Sequence, residues 1–118
     1  MDAVDTQNKT TISPEVLLTI SRLAALKVEG VHRMAPVPVA NVPRLIKRGH
    51  IGEGMLIEIV DNVFYADLYV VMKSGVNIRE ASRQLQSEIS RAIHEMVGMT
   101  VGRVNVHIED IAYPNEGE

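Results

Sequence analysis

The chain predicts an α+β two-layer domain, a three- to four-stranded sheet with two main helices on one face, in the order α-β-β-α-β. Three observations carry that prediction. Residues 55–73 hold two alternating apolar runs on either side of Asp61-Asn62, the pattern of a hairpin around two residues that tolerate positive φ. Two helix starts are written out in full, at Ser13-Pro14-Glu15 and at Asn77-Ile78-Arg79-Glu80. After Gly98, Val104, Val106 and Ile108 alternate with Asn105, His107 and Glu109, the period of a half-buried strand.

The first helix is expected over residues 14–27. The Ser13 hydroxyl can accept from the unpaired amides of the first turn, Pro14 fits the first helical position, and Glu15 lies at the positive end of the dipole. Gly30 suits a left-handed stop. The helix is apolar over more than one stripe, with Val16, Leu17, Leu18, Ile20, Leu23, Ala24, Ala25 and Leu26. It is therefore either buried on two sides or in contact with another subunit, and Leu18, Ala25 and Leu26 are candidates for self-association. Pro36, Pro38 and Pro43 then interrupt regular structure. Arg44–Arg48 can form one helical turn, and Gly49, Gly52 and Gly54 make a flexible return. Ile12 and its neighbours can add a short edge strand.

The hairpin register is testable on paper. A two-residue turn pairs Val60 with Val63, Ile59 with Phe64, Ile57 with Ala66 and Met55 with Leu68, which places Ile59, Phe64, Ile57, Ala66, Met55 and Leu68 on one side. Leu56, Glu58, Val60, Val63, Tyr65, Asp67 and Tyr69 fall on the other side, read as the solvated side of a half-covered sheet. The second helix is expected over 78–96, with Ile78, Ala81, Leu85, Ile89, Ala92, Ile93 and Met96 at steps of three and four, and Gly98 as its stop. If the strands flanking it are parallel, the crossover is right-handed.

Composition narrows the function classes. The chain has 118 residues, 46% hydrophobic, with one Phe, three Tyr and no Trp, so one aliphatic core is expected. Residues 1–9 read as a flexible polar leader, 10–113 as a single domain and 114–118 as an acidic tail. Cys is absent, which excludes disulfides and thiolate metal sites. A net charge of −3 offers no global field for nucleic acid. No run is long enough to span a bilayer and no apolar signal segment opens the chain, so the expected location is the cytoplasm.

Catalytic patterns are scarce. The four histidines (His32, His50, His94 and His107) show no helical metal spacing. His107, Asp67 and Glu58 share the outer sheet face, where a metal or acid–base cluster is conceivable and a solvated surface is the favoured reading. The serines lack a nucleophile elbow, and Glu53 reads as a loop acid. Neither catalytic residues, nor a cofactor, nor a metal are expected. Gly49-His50-Ile51-Gly52, following Arg44, Lys47 and Arg48, matches the Gly-x-x-Gly spacing that clamps nucleotide backbones in KH domains. The alternative reading is therefore a KH-like nucleic-acid module, with Arg44, Lys47, Arg48, Gly49 and Gly52 as its contacts. The same charges could meet acidic lipid head groups.

The chain resembles the alkaline-shock-protein family of small bacterial envelope-stress proteins. The resemblance spans about residues 12–113. It rests on Ile12-Ser13-Pro14-Glu15-Val16, Val28-Glu29-Gly30-Val31, Ala66-Asp67-Leu68-Tyr69-Val70-Val71, Gly75-Val76-Asn77-Ile78, Gln86, Gly98 and Val104-Asn105-Val106-His107-Ile108. Residues 35–43 depart from it, with prolines where relatives carry glycines. The resemblance implies a non-enzymatic cytoplasmic scaffold without catalytic residues or cofactor. It also implies homo-oligomerisation, peripheral attachment to the inner face of the membrane through an anchoring partner protein, and a role in the envelope stress response. An over-apolar first helix and an exposed hairpin edge are the surfaces the residues offer for association.

Overall fold

The computed structural model describes residues 10–38, 40 and 49–114. The expected leader at 1–9, the helical turn at 44–48 and the tail from 115 lie outside the described residues. The elements are α1 (Pro14–Leu26), β1 (Val31–Met34), β2 (Gly49–Gly52), β3 (Met55–Val60), β4 (Val63–Lys73), α2 (Ile78–Val97) and β5 (Thr100–Ala112). The α+β class and the α-β-β-α-β skeleton hold, and two short strands, β1 and β2, join it.

Both helix starts form as their residues dictate. The Ser13 side chain accepts from the Val16 amide, and Asn77 Oδ1 accepts from the Glu80 amide at 3.0 Å. The first stop is different from the expectation. Lys27 caps α1 in a right-handed conformation, and Gly30 does not adopt positive φ. Its lack of a side chain serves packing instead, because a Cβ there would come within 3.1 Å of Ala81 Cβ on α2. Gly98 ends α2 in the left-handed conformation at φ 80°.

The hairpin has the register read from the residues, from Met55 opposite Leu68 through Val60 opposite Val63. Asp61 and Asn62 take φ of 52° and 65°, the primed turn that matches strand twist. β4 is the spine of a mixed five-stranded sheet. One edge of it pairs antiparallel with β3 and then with β1, and the other pairs parallel with β5 over its whole length. β2 lies outside β3. The expected hairpin edge is therefore not exposed, since both of its strands have outer neighbours. The return at Gly49 and Gly52 is a paired strand, and residues 10–13 add none.

One face of the sheet carries the core. Met55, Ile57, Phe64, Ala66, Leu68, Val70, Met72 and Val104 meet Leu17, Ala24 and Ala25 of α1 and Ala81, Leu85, Ile89 and Ile93 of α2. The helices thus share one layer, as amphipathic faces on a pleated sheet require. The opposite face is not wholly solvated. Leu56, Tyr69 and Val71 are buried there with Ala35, and Val37 and Ala112 pack alongside, so the chain after β1 covers part of it.

Candidate functional site

The chemistry-bearing side chains gather on that opposite face, along β4 and β5, with Tyr69 at its covered end. The parallel register places Tyr65 beside Arg103, Asp67 beside Asn105 and Tyr69 beside His107. Alternation then puts all six side chains on one side. Asp67 Oδ1 accepts from Asn105 Nδ2 at 3.1 Å and lies 3.0 Å from His107 Nε2. The His107 ring stacks on Tyr69 with centroids 4.6 Å apart and planes 11° from parallel. The Arg103 guanidinium sits 5.1 Å from the centre of the Tyr65 ring. Gly102 makes room for that ring, because a Cβ on it would come within 2.5 Å of Tyr65 Cε1.

Within this strip the side chains contact one another. Asp67 engages two neighbours, and its side chain and that of His107 remain 27% and 40% exposed, on an open face rather than in a cavity. Among the described residues no group of three or more His, Asp or Glu side chains is arranged to hold a metal ion. The expected companion Glu58 lies across from Tyr65 on β3. Open clefts lie elsewhere: one of about 380 Å³ at the start of α2 beside Glu29 and Lys73, another of about 310 Å³ between α1 and β2 beside Arg22 and Glu53.

The other predicted contacts separate. Arg44, Lys47 and Arg48 lie outside the described residues. Gly49 and Gly52 stand in extended β2, opposite Glu58 and Met55, not in a loop between helices, so the likeness to a nucleotide clamp loses its geometric basis. Gly52 has a packing reason: a Cβ there would come within 3.0 Å of Leu18. Leu18 is half-buried against the sheet, and Ala25 is 0% exposed. Leu26 is exposed, and with it Val16 and Leu23, at 45% and 51%, along the outer side of α1. Their spacing of seven and three places them on one helical stripe. Periodicity marks that stripe, but only packing decides which of the two apolar sides of α1 turns inward.

Residues 2–113 match the alkaline shock protein 23 family, described by a cell envelope-related function. The chain belongs to this family. Relatives of the same kind include the uncharacterized protein YqhY of Bacillus subtilis, 28% identical over 119 residues, covering 100% of this chain and 88% of that protein. Another is the uncharacterized protein Spy1535 of Streptococcus pyogenes, 31% identical over 101 residues, covering 85% of this chain and 76% of the relative. Among solved structures, a MamM CTD superposes with a TM-score of 0.51 at 13% identity, covering 83% of this chain and 99% of that one. At that identity the likeness is one of fold. As a member of the alkaline shock family, the protein has a cell envelope-related function, and the described part of the chain has no helix long and apolar enough to cross a membrane.

Proposed function

We propose that this family member acts without catalysis, as a cytoplasmic scaffold of the envelope stress response. It self-associates and is held at the inner face of the membrane by a partner protein. The observation that carries this reading is the contrast between its two outer surfaces. The polar residues of the sheet satisfy one another on an open face, while Val16, Leu23 and Leu26 leave an apolar row on α1 without a cover among the described residues. A row of that kind favours docking to a protein surface over a turnover site. The family match supports the envelope context.

Fractionation of cells expressing the full chain tests the reading. The wild-type protein is expected in the membrane fraction and is released by detergent together with a protein partner. Leu23→Glu with Leu26→Glu moves it to the soluble fraction without loss of fold. Direct binding of the purified protein to bare anionic vesicles, or retention of the double variant at the membrane, would remove the partner-protein reading. A purified protein that sediments as a monomer at every concentration would remove the self-association part.

A further inference from the structure

The longest strand is also an edge. β5 runs for 13 residues and, among the described residues, pairs with β4 alone. Its engaged backbone groups follow from β4. Tyr69 donates its N–H to Gly54 and accepts from Ala35, and Lys73 donates to Gly30, so these residues of β4 point toward β3 and β1. By alternation Ala66, Leu68 and Val70 point toward β5, where a parallel ladder engages Arg103, Asn105 and His107. The N–H and C=O groups of Val104, Val106 and Ile108 are left facing outward. Gln86 of α2 marks that direction, its Nε2 donating to the Val104 carbonyl at 3.1 Å.

We infer that this edge pairs with β5 of a second copy of the chain, antiparallel about a two-fold axis through Val106. The inference rests on the self-association proposed above and names its surface. Register shifts at Gly102 and Glu109 bracket a straight stretch from 103 to 108, and the axis falls near its middle. Val106 then faces itself and Val104 faces Ile108, which extends the apolar side across the axis, where Val106 and Ile108 are only partly buried in one copy. On the other side Arg103 comes opposite Glu109, both exposed, twice by symmetry. Shifting the register by two residues sets Arg103 against His107 or Ile111 and loses the match. β1 and β2, with four residues each, offer edges too short to compete. Gln86 leaves the Val104 carbonyl when the second copy arrives.

Sedimentation of the full-length chain over a concentration series tests this. Arg103→Glu alone and Glu109→Arg alone are each expected to weaken association on the order of tenfold, by setting like charges opposite one another, and the double swap restores it. Val106→Pro removes an outward N–H and no bond to β4, so it abolishes association while far-ultraviolet circular dichroism stays native. Should that variant misfold, the charge swap decides alone. Leu23→Glu on α1 leaves association unchanged. Wild-type association that ignores the single swaps, or that the double swap fails to restore, overturns the β5 edge while the self-association reading stands. A monomeric wild type overturns both.

Discussion

Ser21 lies on the inner side of α1 with no exposed surface, and among the described residues its hydroxyl has no hydrogen-bond partner. The turn of the helix sets Ser21 beside Leu17, Ala24 and Ala25, on the side that meets the core. A buried hydroxyl without a partner loses its hydration and gains nothing in return. Ser21→Ala is therefore expected to stabilise the fold by about 1 kcal/mol, read as a higher denaturant midpoint with an unchanged slope. Gly54 is constrained in the opposite sense. It holds φ at 69°, and a Cβ there would approach the Ala35 carbonyl oxygen and Met34 Cβ to 2.7 Å each. At this point β3 gives way to the chain after β1 along β4, with Tyr69 bridging both. Gly54→Ala is expected to cost roughly 2–4 kcal/mol, from positive φ and from backbone that cannot move aside. A loss below about 1 kcal/mol in equilibrium unfolding would show that the junction relaxes easily.

At the scale of elements, the hairpin and α2 are specified by their own residues. Asp61 and Asn62 accept positive φ because their short polar side chains tolerate it, whereas a β-branched residue does not. Asn62→Val should cost about 1–2 kcal/mol, and Asn62→Gly should cost little or nothing, in the same unfolding measurement. Asn77→Ala removes the acceptor of the Glu80 amide and should cost about 1 kcal/mol, visible as fraying of the first turn by hydrogen exchange. The stripe on α2 was legible in its period, and Ala81, Leu85, Ile89 and Ile93 are buried as it requires. Its two ends, Ile78 and Met96, are exposed. β1 and β2 left no clear signal. Each is four residues long, too short for alternation to rise above chance, and each exists because β4 or β3 offers it a ladder.

For the whole molecule, the proposed scaffold divides its work between two outer surfaces. The apolar row on α1 is assigned to the partner protein and the β5 edge to a second copy, so the two can be disabled independently. A chain carrying Leu23→Glu and Leu26→Glu is expected to keep its sedimentation profile and lose the membrane. A chain carrying Arg103→Glu is expected to sediment as a smaller species and to remain at the membrane more weakly, because multivalent attachment is lost. Loss of both properties from either variant would mean that one surface serves both tasks.

The order of helices and main strands, the hairpin register and the N-caps were determined by the residues alone, because each depends on neighbours a few positions apart. Turn conformers, capping hydrogen bonds and apolar period are local physics. Tertiary structure decided the rest. Only the parallel docking of β5 on β4 brings Asp67, Asn105 and His107 together and sets Arg103 on Tyr65, since those partners lie far apart along the chain. Only the packing of α1 chooses its inner side, burying Ala25 and leaving Leu26 in solvent. A helix with two apolar sides has two nearly equivalent ways to face a core, and long-range contacts break the tie.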